Sequence, residues 1–248
     1  MKTSTSPIVL LGAMDGEIEE IRNALNSREE IIIGGWLRAY RGTLEGRPVV
    51  LAKSGVGKAM CAMSTQAIFD HIAREEIPSN AAPRKPGALI FTGLAGSLNP
   101  ELHIGDTLIA ADCIQHDLDA TALGIKRGTV PYSSHRFLES DPDLLAAAEG
   151  YRPESGRVHR GRVLTGDQFI ARRNDPQYAY LREELEGDGV EMEGAAAALC
   201  AKVNSVPFLL ARTISDEADG KAEVKFREFL IRASQNSLKL LTHIFSRL

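Results

Sequence analysis

The sequence predicts an α/β fold, a three-layer sandwich with a central mixed, twisted β-sheet flanked by helices. Three observations predict it. Short, almost wholly apolar runs, Ile8 to Gly12, Ala88 to Thr92 and Pro207 to Ile214, have the length and composition of buried strands. Longer stretches between them carry apolar residues at helical spacing. Small or polar turns follow the apolar runs, the arrangement that places a site outside the strand ends of a layered sheet.

Taken in order, Ile8 to Gly12 is a strand closed by Gly, and Glu17 to Leu25 is a helix with Ile18, Ile21 and Leu25 on one face. Ile31 to Ile33, Leu37 to Leu44 and Val49 to Lys53, punctuated by Gly34, Gly35, Gly42 and Gly46, read as an antiparallel meander. Lys58 to Ala73 reads as a helix after Gly57. Pro78 to Gly87 reads as an inserted surface loop, because the apolar pattern resumes at once in Ala88 to Phe91, so residues 1–248 are expected to form one domain. Ala88 to Thr92 is a strand ended by a Gly93-Leu94-Ala95-Gly96 turn, and Asp106 to Cys113 is another. Arg157 to Thr165 alternates Val158 and Val163 with basic residues, as a half-buried strand does. Asp175 to Leu185 and Glu193 to Val203 read as helices, Pro207 to Ile214 as a buried strand, and Val224 to Leu248 as a terminal amphipathic helix.

Composition removes several function classes. A net charge of −4 with scattered Lys and Arg argues against nucleic-acid partners, which need clustered positive charge. Three widely spaced cysteines without a CxxC pair suit a reducing cytosol. Met1 to Pro7 is polar and the apolar run after it is short, so neither a signal peptide nor a membrane span is expected, and the protein reads as soluble and cytoplasmic. The six histidines show no paired ligand spacing, so no metal and no cofactor are expected.

Five segments carry candidate chemistry. In Gly12-Ala13-Met14-Asp15-Gly16-Glu17 a strand ends in small residues and Glu17 follows at a helix start, where an acid also serves the helix dipole. Ser54-Gly55-Val56-Gly57-Lys58 is a turn into a helix; Ala59 after Lys58 and the close glycines exclude a phosphate-cradling GxxxxGK[ST] loop. Thr92 to Ser97 places two glycines after a buried strand, letting backbone approach a flat ligand. Val190-Glu191-Met192-Glu193-Gly194-Ala195-Ala196 sets two acids at the head of an Ala-rich helix; extended backbone would put Glu191 and Glu193 on one face, poorly solvated and needing partners. Arg212 to Asp219 is a polar cluster after an apolar strand, in which Ser215 can donate to Asp216 and Arg212 reads as an ion-pair or ligand clamp.

These segments, GAMDGE, SGVGK, TGLAGS with IGD and HDLDATALG, TGDQFI, VEMEGAA and RTISDEAD, resemble the nucleoside phosphorylase and nucleosidase superfamily, and within it the methylthioadenosine/S-adenosylhomocysteine nucleosidases. The resemblance runs from Ile8 to about Ser237. It implies the sandwich described above, usually as a homodimer, and an adenine nucleoside held beside Phe169 and the Ile170 backbone. It implies that Glu193 and Met192 grip the ribose and that Asp216, oriented by Ser215, is the general acid at adenine N7. It implies that Glu17 and Arg212 position the attacking water. Leu94, Ala95 and Gly96 are expected to line the site, with Met14, Val56 and Phe226 around the ribose and 5′-alkylthio group and Leu123 and Pro131 arriving from the neighbouring subunit. His116, Asp117 and Asp119 match an HDxD-like segment and read as structural or interface positions.

The residue types agree with that chemistry. Adenine leaves poorly as an anion, so cleavage needs a proton on the ring while carboxylates stabilise the developing oxocarbenium charge. Leu94 stands where the family commonly has Ser or Thr, removing a polar contact and arguing further against holding phosphate. Leu123, where Phe is common, reshapes the 5′ pocket. Alternatives are therefore an aminofutalosine or futalosine hydrolase, a purine nucleoside phosphorylase and, from a different class, a non-catalytic nucleoside-binding protein.

Overall fold

The computed structural model describes residues 6–74, 84–216 and 226–248, with side chains of the last stretch from residue 229 onward. A mixed sheet of ten strands is flanked by helices on both sides, as expected. In chain order the elements are β1 (Ile8–Gly12), α1 (Asp15–Ala24), β2 (Asn26–Ile33), β3 (Leu37–Leu44), β4 (Arg47–Lys53) and α2 (Lys58–Arg74). Then follow β5 (Ala88–Ser97), β6 (Thr107–Gln115), β7 (Leu138–Glu139), α3 (Pro142–Ala148), β8 (Val158–Thr165) and α4 (Tyr180–Glu183). The last are β9 (Gly189–Glu191), α5 (Gly194–Asn204), β10 (Phe208–Asp216) and α6 (Phe226–Phe245).

Strand alternation builds the layers. Val9, Leu11, Leu89 and Phe91 point into a core under α2 and α5, whereas Ile8, Leu10, Ile90 and Leu209 point the other way, under α1, α3 and α6. β1 lies in parallel between β4 and β5, and β4, β3 and β2 form the antiparallel meander read from the glycines. The other half of the sheet curls on itself: β10 pairs with both β5 and β6, β6 with β8, β8 with β9, and β9 with β5, a closed ring of five strands. Closure removes the sheet edges on that side.

Several expectations shift. The Gly93-Leu94-Ala95-Gly96 segment is not a turn, because β5 runs on to Ser97 with Gly93, Leu94 and Ala95 paired against Arg212, Thr213 and Ile214. β2 begins at Asn26, earlier than expected; its first residues are solvent-exposed and so carry no apolar pattern. α1 starts at Asp15, ahead of Glu17. Asp175 to Leu185 is not one helix but a 3-10 turn at Pro176–Tyr178, capped by the Asp175 carboxylate, followed by the single turn of α4. α3 escaped the reading although Asp141 caps it by accepting from the Asp143 and Leu144 N–H groups and Pro142 opens it. Most of the expected Pro78 to Gly87 loop and the Val224 start of the last helix lie outside the described residues.

Candidate active site

A cleft of about 730 Å³, counted to its open mouth, lies where the closed ring joins the flat half of the sheet. Met14 and Glu17 enter from the β1–α1 junction, Val56 from the turn before α2, and Leu94, Ala95 and Gly96 from the extended end of β5. Gln168, Phe169 and Ile170 come from the loop after β8, Val190 to Glu193 from β9 and the head of α5, and Ser215 and Asp216 from the end of β10. Asp216 and Glu193 therefore share one cleft.

Glu17 is buried, and three backbone N–H groups hold its carboxylate: those of Ala13 (2.6 Å) and Met14 (3.0 Å) donate to Oε2, and that of Leu94 (2.9 Å) to Oε1. It sits three residues past the Met14 cap, so it also closes the first turn of α1. Burial pushes its carboxyl above the ordinary value, against the opposing pull of Arg212 and these N–H donors. Gly93 leaves room for both side chains to approach the same strand position. A Cβ there would stand 2.6 Å from Glu17 Oε1 and 3.1 Å from Arg212 Nη1.

Arg212 is 2% exposed and lies behind the cleft wall, its guanidinium 4.2 Å from the Phe91 ring centre. Nη2 donates to Glu191 Oε2 at 2.5 Å, while Nε and Nη1 have no partner among the described residues. Burial works against its charge, but Glu191, Glu17 and Glu193 together outweigh burial and keep the guanidinium protonated.

Glu193 precedes α5, and its Oε1 accepts the Gly57 N–H at 2.8 Å. Burial, reinforced by the neighbouring Glu191, pushes its carboxyl up to about 8. At the end of β10, Ser215 Oγ donates to Asp216 Oδ2 at 2.9 Å, the orienting contact read from the sequence.

A sequence profile described as the phosphorylase superfamily matches residues 7–246. The 5′-methylthioadenosine/S-adenosylhomocysteine nucleosidase of Staphylococcus haemolyticus is 35% identical over 235 residues, 94% of this chain and 96% of that one. The crystal structure of the Neisseria meningitidis 5′-methylthioadenosine/S-adenosylhomocysteine nucleosidase with methylthio-immucillin-A superposes with a TM-score of 0.84 at 33% identity, covering 98% of this chain and 100% of that chain. The chain belongs to the methylthioadenosine/S-adenosylhomocysteine nucleosidase family of the phosphorylase superfamily. The futalosine hydrolase of Helicobacter pylori is similar as well, at 29% identity and a TM-score of 0.84, covering 98% of this chain and 99% of that chain.

In this member of the nucleosidase family, not every expected residue reaches the cleft. Leu123, in a 3-10 turn and 71% exposed, and Pro131 do not line it within the single chain. Phe226 opens α6, and its side chain lies outside the described residues. Glu191 and Glu193 both line the cleft, as the extended reading of this stretch expected, but they take different partners, and the backbone leaves the extended conformation at Glu193 (ψ −36°) as α5 begins. Glu191 turns beneath α5, where it accepts the Glu193 and Gly194 N–H groups, the Thr165 hydroxyl and Arg212.

That role for Glu191 and Thr165 was missed, as were Gln168 and the Gly57 N–H. A signal existed for the first: an arginine within a buried strand requires an equally buried acid, and the family's nucleosidase motif holds two. His116 is buried against the Tyr180 hydroxyl (2.9 Å), and Asp119 pairs with Arg127 (2.8 Å), both contacts within the chain. Among the described residues no helix is long and apolar enough to cross a membrane.

Proposed function

We propose that this protein hydrolyses the N-glycosidic bond of 5′-methylthioadenosine and S-adenosylhomocysteine, releasing adenine and the 5′-thioribose product. The observation that carries the reading is a single cleft in which Ser215–Asp216 faces Glu17 and Glu193, with the Arg212 guanidinium beside Glu17. The relatives and the inhibitor-bound neighbour named above support the substrate class.

Each residue then has a task. Adenine lies by Phe169 and the Ile170 backbone, with Asp216 at N7 and Ser215 holding the carboxyl. Glu193 and Met192 take the ribose hydroxyls; Met14 and Val56 enclose the 5′ substituent; Leu94, Ala95 and Gly96 wall the sugar. As the C1′–N9 bond breaks, its electron pair moves onto the purine and Asp216 delivers a proton to N7. Water attacks C1′ and gives its proton to Glu17, whose three N–H donors fix the carboxylate, while Arg212, behind the cleft wall, sets positive charge near that carboxylate without reaching the water. The backbone donors placed to cradle an anion are already filled by Glu17, and the Leu94 side chain adds none, which favours hydrolysis over phosphorolysis.

The active unit is a cytoplasmic homodimer of one domain per chain, 1–248. Val56 and Phe169 at the cleft, 52% and 60% exposed, and Met63 on α2, 56% exposed, leave apolar surface that a second copy covers while supplying Leu123 and Pro131. The likeness to futalosine hydrolase favours aminofutalosine as the second substrate reading.

The test is adenine release from methylthioadenosine, S-adenosylhomocysteine, 5′-deoxyadenosine and aminofutalosine, with and without phosphate. Release without phosphate, lowered by about 10²–10⁴ in Asp216→Asn, is the expected result. Phosphate-dependent release, or equal turnover by the variant, overturns the assignment.

A further inference from the structure

Beyond the cleft, one charged cluster joins its two sides. The Lys58 backbone N–H, the first of α2, donates to Asp167 Oδ1 at 2.7 Å, and the Lys58 ammonium reaches Asp117 Oδ1 at 2.5 Å and Asp167 Oδ2 at 3.8 Å. The Asp167 N–H closes the triangle on Asp117 Oδ2 at 2.9 Å. Asp117 and Asp167 follow β6 and β8, which are parallel neighbours in register at Gln115 and Thr165, so the sheet delivers both loops to the same end. The approach is close: at Gly57, whose φ is +88°, a Cβ would stand 3.0 Å from Asp167 Oδ1. The cluster is half-sheltered, with the Lys58 side chain 18% exposed. Burial pushes the Asp117 carboxyl up, but Lys58 and the Asp167 N–H outweigh it and hold the group below its ordinary value.

The position matters because of what lies one or two residues away. Asp167 directly precedes Gln168 and Phe169, on one wall of the cleft, in a loop also held by the buried Ile170 and by the Gly166 N–H, which donates to the Glu191 carbonyl at 3.1 Å. Lys58 directly follows Gly57, whose N–H holds Glu193 on the opposite wall. We propose that Lys58 and Asp117 are positioning residues that fasten the base-side loop, 166–170, to the turn that holds the ribose carboxylate, setting the cleft at nucleoside width. Neither touches the reacting atoms. Without the clasp the loop samples open positions, and apparent affinity falls in proportion to the fraction of time it is closed. The inference rests on the proposed nucleosidase reading for the identity of the ligand.

Lys58→Met removes the ammonium and keeps the length, Asp117→Asn removes its partner, and Lys58→Arg restores a cation. Two readouts are taken: kcat and KM for methylthioadenosine, and the Kd of adenine by calorimetry. Expected in Lys58→Met and Asp117→Asn are an adenine Kd and a KM raised about tenfold, with kcat within twofold of the parent. Lys58→Arg recovers most of the loss. Unchanged Kd and KM, a fall confined to kcat, or a lowered melting temperature without change in adenine affinity each overturns the clasp. A parent that binds adenine but releases none from any nucleoside sinks the nucleosidase reading, while the calorimetric comparison still decides the clasp. A parent that binds no adenine overturns both.

Discussion

At the scale of single residues, the site sets carboxyl groups in environments that treat them differently. Glu17 is buried but surrounded by three N–H donors and a guanidinium, whereas Glu193 has one N–H and an acidic neighbour. With its value near 8, Glu193 holds a proton at neutral pH in the free protein. Sugar hydroxyls donate best to the anion, so substrate binding strengthens as pH rises toward 8. The KM of the parent therefore falls between about pH 6 and about pH 8, while that of Glu193→Gln stays flat and lies above it at the alkaline end; parallel profiles would refute the role. Stability runs the opposite way. The folded chain keeps a proton that the unfolded chain, near the ordinary 4.5, has lost, so this contribution is full below 4.5 and disappears as pH climbs through 8. Melting temperatures of the parent and Glu193→Gln should diverge across that window, the variant falling less.

At the scale of elements, the head of α5 shows how a helix terminus and an ion pair are merged. Glu191 at the end of β9 satisfies the first N–H groups of α5 and neutralises Arg212 from β10, while Thr165 from β8 donates to it and accepts the Ala195 N–H. Three strands and one helix thus meet on one carboxylate. Glu191→Ala removes the carboxylate that hydrogen-bonds the buried Arg212 guanidinium and is expected to destabilise the protein by about 3–5 kcal/mol in urea unfolding. A loss under about 1 kcal/mol would mean that Arg212 finds another acid, with Glu17 the nearest choice. β5 makes the complementary point. It continues past Gly93 because β10 offers it backbone partners along its whole length, and the missing Cβ admits Glu17 and Arg212 from either side.

At the scale of the whole molecule, ring closure by the β10–β5 pairing brings the ends of β5, β8, β9 and β10 around one cleft, while β1 supplies Glu17 from the flat half of the sheet. The apolar side chains near the mouth are expected to be covered by a second chain. Met63→Glu places a charge on the exposed side of α2, away from the cleft lining. The expected result is dissociation to monomers in sedimentation experiments, with KM for methylthioadenosine raised because Leu123 and Pro131 no longer arrive. A variant that remains dimeric with unchanged KM would place the interface elsewhere.

Periodicity and glycine placement were enough to read the layers, the meander of β2 to β4, and most strands and helices, because each depends on residues adjacent along the chain. The motif segments pointed to nearly every side chain that lines the cleft, from Met14 to Asp216. Three features escaped that reading for one physical reason. The continuation of β5, the pairing of Glu191 with Arg212 at the head of α5, and the Lys58–Asp117–Asp167 triangle all depend on what lies opposite a residue in space, which alternation along the chain does not encode. Residue chemistry and local pattern were settled by the sequence alone. Which acid meets Arg212, and how far apart the two walls of the cleft stand, was decided by strand pairing, since only the closed sheet sets those distances.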